Sequence, residues 1–240
     1  MLRLAVAQFP VCGDVNRNLS FMVRQIRQAS KAKAQLIHFP EAALTGYLSK
    51  DFSSFRGFDW QALTRAEAAL AAASAQESIW LAFGSYRRAG EKPKNCVRVI
   101  APDGTLAVTY DKIHLCERDG EKARCSAGRQ LKTVRIAGTL CGFLICNDSN
   151  RVSLYQRYQA LGVELLIHSY YNARSSRGKT VFDDVIVGQL RTRAFDHGFW
   201  ISASNSSAKY SRLTASVAAP DGTVTGLRRH IAGIHLAEIR

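Results

Sequence analysis

Three residues in this chain stand where an apolar strand gives way to polar sequence, and their types could work together. Glu41 follows QLIHFP, Lys112 follows TLAVTYD, and Cys146 follows GFLI. A cysteine at such a border has two readings: a small hydrophobe closing a core, since cysteine is among the most buried residue types, or a nucleophile. A glutamate there can be a turn carboxylate and a lysine a solvated charge. Taken together the three supply what thiol acyl transfer needs. A carboxylate whose pKa is raised by burial can take the thiol proton, and a lysine with a backbone N–H can stabilise the tetrahedral oxyanion. Of the six histidines, His38 sits within a strand. His114, two residues past Lys112, would share its face in a strand of period two and act as a supporting group. A Cys–His pair is the competing arrangement.

The elements that must position these residues can be read from apolar periodicity. LAVAQF (4–9) is a first strand. Leu19, Met22, Val23, Ile26 and Ala29 recur at helical spacing, with Asn16 or Asn18 as N-cap, and QLIHFP (35–40) is a second strand. A helix over 60–76 and a strand over 79–86 follow. CVRVIA and TLAVTY, joined by a Pro-Asp-Gly turn, form a hairpin, and TVRIAG pairs with the strand that ends at Cys146. Helical character over 151–166 leads into VELLIHS (163–169), then a helix over 181–197 and a strand over 199–204. APDGT occurs twice, at 101–105 and 219–223, each time after a strand led by tryptophan (Trp80, Trp200). The repetition predicts two pseudo-equivalent α/β halves with their sheets face to face and helices outside. No Pro-, Gly- or Ser-rich linker divides the chain, so one domain over residues 1–240 is expected.

Composition narrows the class. The chain has 240 residues, 47% hydrophobic and 22% charged, and no apolar run near the roughly 20 residues a membrane helix needs. Its opening is too quickly polar for a secretory signal, so a cytoplasmic protein with reduced thiols is expected. The six cysteines (12, 96, 116, 125, 141, 146) form no CxxC pair and no zinc spacing, which argues against a metal. The net charge of +14 divides as +5 over residues 1–120 and +9 over 121–240. The basic residues come singly or in pairs without a basic–aromatic signature, so a cationic solvated surface is favoured over nucleic-acid binding.

FPEAALTGY (39–47), YDKIHL (110–115) and LICND (144–148) resemble, in that order and spacing, the motifs of the nitrilase superfamily of carbon–nitrogen hydrolases. The resemblance extends to LRLAVAQFPVCGDVNRNL at the start, RTRAFDHGFWISAS, and the closing APDGT…HLAEI. It implies an α+β fold, a four-layer αββα sandwich with an internal pseudo-two-fold repeat. It implies that Cys146 is the nucleophile, Glu41 the general base and Lys112 the oxyanion stabiliser. The N–H of Asn147 is the implied second oxyanion donor. An auxiliary glutamate carries over to Glu121, with Glu117 as fallback, and Tyr47, Asn147 and Tyr170 are the expected substrate contacts. No cofactor is implied, and the partners are a small amide substrate and a second copy in a homodimer. Members often continue after the cysteine with an aromatic residue, Asp, and then Arg-Phe-Pro-Glu. Here NDSNRVS stands instead, with Asn150 and Ser153 at the Arg and Glu positions. The expected activity is hydrolysis of a small amide or N-carbamoyl compound through a Cys146 thioester, and the basic surface suggests an anionic substrate. Acyl transfer by the same intermediate, nitrile hydrolysis, and a catalytically silent binding protein are the alternatives.

Overall fold

The central strands are apolar on both faces, and such strands must be covered twice. In the computed structural model, which describes residues 1–117, 119–172, 181–208 and 211–240, they are. The elements in chain order are β1 (Leu2–Gln8), α1 (Val15–Lys31), β2 (Leu36–His38), α2 (Trp60–Glu77), β3 (Trp80–Arg87), β4 (Lys94–Ile100), β5 (Leu106–Asp111) and a short α3 (Glu121–Arg124). Then come β6 (Thr133–Ile136), β7 (Thr139–Ile145), a 3-10 turn (Cys146–Asn150), α4 (Val152–Ala160), β8 (Leu165–Ser169), α5 (Val181–His197), β9 (Trp200–Ser204), β10 (Ser216–Ala218), β11 (Val224–Gly226) and β12 (Gly233–Ile239).

Two six-stranded sheets result, in the orders β12-β1-β2-β3-β4-β5 and β6-β7-β8-β9-β10-β11. The expected repeat is therefore present strand for strand. In each half the second, third and fourth strands in these orders run parallel and the outer pairings are antiparallel. Each APDGT turn closes the hairpin at the equivalent place, β4–β5 and β10–β11.

Alternation along the strands builds the layers. Leu4 and Val6 of β1, Leu36 of β2 and Ala82 of β3 meet Phe143 and Ile145 of β7 and Leu165 and Ile167 of β8 between the sheets. The intervening Ala5, Ala7, Ile37, Leu81 and Phe83 face Met22 and Ile26 of α1 and Leu63 and Leu70 of α2. On the other side Leu144, Leu166 and Ile201 face Leu154 and Tyr158 of α4 and Leu190 and Ala194 of α5. This is the expected αββα sandwich. Each of the buried Leu, Ile, Val, Met and Phe side chains contributes about 1.5–3 kcal/mol relative to exposure.

One local expectation is corrected. The N-cap of α1 is Asp14, whose Oδ1 accepts from the backbone of Asn16 (2.9 Å) and Arg17 (3.0 Å). Asn18 is instead buried, accepting from Cys12 N and donating to the carbonyls of Cys12 and Leu44. Asn16 lies inside the first turn, where an asparagine side chain cannot cap. None of the six cysteines is in a disulfide. Among the described residues no helix is long and apolar enough to cross a membrane.

Candidate active site

Glu41, Lys112 and Cys146 each follow the end of a strand: β2, β5 and β7. The Glu41 turn crosses over β3, and its backbone N–H donates to Tyr170 O (3.2 Å), joining the first half of the repeat to the second. Gly84 permits this crossing, because a Cβ there would collide with Pro40 O and Ala42 N. Lys112 is fixed from both sides of its peptide, its N–H donating to Asn95 O (2.9 Å) and its carbonyl accepting from Gly128 N (2.7 Å).

The side chains converge. Lys112 Nζ donates to Glu41 Oε1 (2.7 Å) and to Glu121 Oε2 (2.8 Å). Asn95 Nδ2 also bridges the two carboxylates, at 2.8 Å from Glu41 Oε1 and 2.7 Å from Glu121 Oε1. Cys116 N donates to Glu121 Oε2 (2.8 Å). All four side chains in this cluster are buried. Burial alone would push Lys112 down, but Glu41 and Glu121 outweigh it and hold the ammonium well above its ordinary value. Burial pushes the Glu41 carboxyl up to about 7, against the pull of Lys112 and with the repulsion of Glu121. Glu41 Oε2 has no hydrogen-bond partner among the described residues, so one face of this carboxylate is available for a proton.

Cys146 opens the 3-10 turn with φ of +40°, a conformation that non-glycine residues rarely adopt and that must be held by its surroundings. Asp148 holds it. Its carboxylate accepts from Ile145 N (2.9 Å), Tyr110 Oη (2.8 Å) and His114 N (2.7 Å). Burial pushes Asp148 up to about 6 despite these donors. Burial and the nearby Glu41 push the Cys146 thiol up, with Lys112 opposing, so the resting group is a thiol beside a carboxylate. Its sulfur lies 3.9 Å from Asn172 Oδ1.

A cavity of about 800 Å³ opens beside Cys146, and Tyr47, Asn147 and Tyr170 all line it. The Tyr47 ring stacks on Tyr171, with centroids 4.8 Å apart, and its hydroxyl donates to Asp119 (3.2 Å). Tyr170 turns its hydroxyl away from the cavity to His168 Nδ1 (2.9 Å). Asn147 Nδ2 donates to Leu115 O (3.1 Å). Of the loop that departs from the usual pattern, Asn150 donates to Asn147 Oδ1 (2.8 Å) and accepts from Gln189 of α5 (3.4 Å), while Ser153 lies exposed on α4.

Glu121, not Glu117, joins Lys112; Glu117 is on the surface with Lys122 (2.6 Å). His114 does not support Lys112 through its ring. The strand ends at Asp111, so period two no longer applies, and it is the His114 backbone N–H that reaches Asp148. His38 points between the sheets, bonded to Ser202 Oγ (2.8 Å) and Ser169 Oγ (2.9 Å). Asn95, Tyr171, Asn172 and His168 belong to the site and were not anticipated from the sequence. Among the described residues no group of three His, Cys, Asp or Glu side chains is placed to hold a metal ion.

A four-layer sandwich with a Glu–Lys–Cys cluster at its strand ends defines a nitrilase-type scaffold, and the comparisons agree. The carbon-nitrogen hydrolase family model matches residues 3–240, and the chain belongs to that family. Among curated proteins it is similar to omega-amidase NIT2 of Bos taurus, 29% identical over 179 residues that make up 69% of this chain and 62% of that protein. It is also similar to glutamine-dependent NAD(+) synthetase of Acinetobacter baylyi, 27% identical over 168 residues, 69% of this chain and 30% of that protein. The matched stretch thus spans less than two thirds of either relative. Among solved structures, an amidase from Nesterenkonia sp. AN1 superposes with a TM-score of 0.87 at 20% identity, covering 100% of this chain and 93% of that one. A mutant of that amidase, bearing acrylamide added at its active-site cysteine, gives a TM-score of 0.87 at 19% identity, covering 100% and 94%.

Proposed function

We propose that the protein hydrolyses a small amide to a carboxylate and ammonia or an amine, with residues 1–240 acting as one domain. The observation that carries this reading is the buried Lys112–Glu41 pair, with Glu41 Oε2 unpartnered, beside a thiol at the mouth of a cavity. Glu41, ionised above about pH 7, takes the Cys146 proton as sulfur attacks the amide carbon. The oxyanion that forms is met by Lys112 and the N–H of Asn147. Collapse breaks the C–N bond, Glu41 returns the proton to the leaving nitrogen, and a thioester remains. Glu41 then deprotonates a water that attacks the thioester, and the thiol is regenerated as the carboxylate leaves. Glu121 and Asn95 keep Lys112 and Glu41 in register. Tyr47, Asn147 and Tyr170 shape the wall against which the acyl group lies. A structural relative that reacts with acrylamide at its active-site cysteine supports this assignment of Cys146.

The cavity rim carries Lys50, Lys122, Arg151 and Arg212 against Glu117 and Asp119. Among the described residues that excess of positive charge favours an amide that also bears a carboxylate, and the Bos taurus relative is named an omega-amidase. Free thiols throughout accord with a cytoplasmic setting. Exposed Leu161 beside α4 and Phe195 on α5 are apolar side chains that a homodimer could cover, which sedimentation would register.

The test is ammonia release over a panel of neutral, carboxylate-bearing and N-carbamoyl amides, wild type against Cys146→Ala. Turnover confined to the wild type, with an acyl group trapped on the Cys146 peptide, is the expected result. Undiminished turnover in the variant overturns the mechanism, and transfer to an added amine in place of water reassigns it to an acyltransferase.

A further inference from the structure

His168 lies on β8, and it is the one imidazole that touches the Cys146 turn by a hydrogen bond among the described residues. Its Nε2 is 3.4 Å from the backbone carbonyl oxygen of Cys146. Its Nδ1 is 2.9 Å from the Tyr170 hydroxyl, and the two rings stack with centroids 4.0 Å apart at 26°. Burial pushes the imidazole down to about 3, so it is neutral at working pH and carries a single N–H. Burial also pushes the Tyr170 phenol far up, so its O–H keeps its proton and donates to Nδ1. The tautomer follows: the imidazole proton is on Nε2, facing the Cys146 carbonyl.

That carbonyl belongs to the peptide unit whose other end is the N–H of Asn147. In a planar trans peptide C=O and N–H point in opposite directions, so a donor that anchors the oxygen also aims the N–H. Anchoring polarises the unit as well, and makes its N–H a stronger donor. The N–H groups that open a helical turn find no carbonyl within it, which leaves this one for a ligand. Two peptides upstream, Ile145 N is pinned separately to Asp148 (2.9 Å). Cys146, at φ of +40°, therefore sits between Ile145, tied to Asp148 of the same turn, and its own carbonyl, tied to His168 of β8.

We infer that His168, set by Tyr170, is a positioning residue that aims and polarises the Cys146–Asn147 peptide as an oxyanion donor. It never touches substrate and moves no proton. The inference rests on the hydrolase reading above, in which that N–H meets the oxyanion. It gives the histidine a task in the second half of the repeat that the equivalent position in the first half, Phe39, has no means to perform.

The experiment compares the full chain with His168→Phe, which keeps a ring beside Tyr170 but has no donor, and His168→Gln, which returns an N–H at similar reach. Two rates are read. Amide turnover passes through an oxyanion; alkylation of Cys146 by iodoacetamide displaces iodide at a saturated carbon and does not. The expected result for His168→Phe is a fall in kcat of about 30–100-fold, below the 10²–10³-fold for loss of a direct donor. KM and the alkylation rate should stay within about threefold, and His168→Gln should recover most of kcat. Turnover within threefold of wild type in His168→Phe overturns the inference, and so does an equal loss of turnover and alkylation, which would place the role in packing around the thiol. His168→Leu, with melting temperatures taken alongside, serves if the Phe variant does not fold; if neither folds, His168 is a core residue and the inference falls. A wild type that alkylates readily but turns over no amide overturns the hydrolase reading itself, and this inference with it.

Discussion

Lys112 Nζ sits 2.7 Å from Glu41 Oε1, with neither side chain exposed to solvent. A second buried carboxylate, Glu121, takes the same ammonium at 2.8 Å. One cation between two buried acids is an arrangement in which removal of the centre costs far more than the pair is worth, because the acids lose the donor and the charge that offset their burial. Lys112→Ala should therefore lose about 3–5 kcal/mol of stability at neutral pH by urea denaturation. A loss below about 1 kcal/mol would show that the buried cluster does not depend on the ammonium for its stability.

In the proposed mechanism the Glu41 carboxyl, raised to about 7 chiefly by burial, sets the pH dependence of turnover. The base form exists above that value, so kcat/KM should climb tenfold per pH unit from pH 5 and level off above about 7. Glu41→Gln should lower turnover by about 10²–10⁴-fold. An acidic limb that stays flat down to pH 5 in the wild type would assign the base elsewhere.

Asp148 accepts three hydrogen bonds with two oxygens, and an amide cannot accept on both sides. Asp148→Asn should cost about 1–3 kcal/mol of stability for the donor left unpaired. It should also lower kcat more than tenfold, since the Cys146 turn loses its anchor. Thermal melting and steady-state kinetics on the same sample check both. A variant as active as wild type would show that the turn holds its strained φ without this carboxylate.

Glu41, Lys112 and Cys146 were legible in the sequence because each closes an apolar strand within a short motif. The sandwich was legible because the strands are apolar on both faces and APDGT recurs. Asn95 was not. Counting back from the Pro-Asp-Gly turn pairs Ile100 with Leu106 and would set Lys94 against Lys112, but a bulge between Val99 and Ile100 shifts the register by one. It is Asn95 whose carbonyl takes the Lys112 N–H. His168 was hidden in a similar way. QLIHF and ELLIHS look alike, yet Leu36 pairs with Trp80 and Leu165 with Trp200, so His38 corresponds to Ile167 and not to His168. With a strand period of two the histidines face opposite sides of their sheets. The N-cap of α1 was misplaced because Asp14, Asn16 and Asn18 are all capping residues, and only backbone conformation separates them.

Arg151 lines the cavity on the side of the unusual loop and is exposed. If the substrate bears a carboxylate, Arg151→Ala should raise its KM by about fivefold, the worth of one exposed charge contact, and leave the KM of a neutral amide unchanged. Added salt should weaken the wild-type preference. Equal effects on both substrates would remove the charge argument for an anionic amide.

His38 links the two sheets through Ser202 and Ser169, and burial, with a smaller contribution from His168, pushes it down to about 3. In the unfolded chain a histidine titrates near 6.5, so below that pH the unfolded state holds a proton the folded state lacks. This part of the stability is complete above about pH 6.5 and is lost on acidification towards 3, by about 1.4 kcal/mol per pH unit. Glu41 and Asp148, raised to about 7 and about 6, act with the opposite sign: between their ordinary and raised values the folded state holds the extra proton, and acidification stabilises it. The overall curve is therefore flatter than any one group dictates, and a difference isolates His38. His38→Gln should be less stable than wild type at pH 7 by a margin that shrinks by about 1.4 kcal/mol between pH 6 and pH 5, by urea denaturation. A margin independent of pH would show that His38 can take its proton without unfolding the protein.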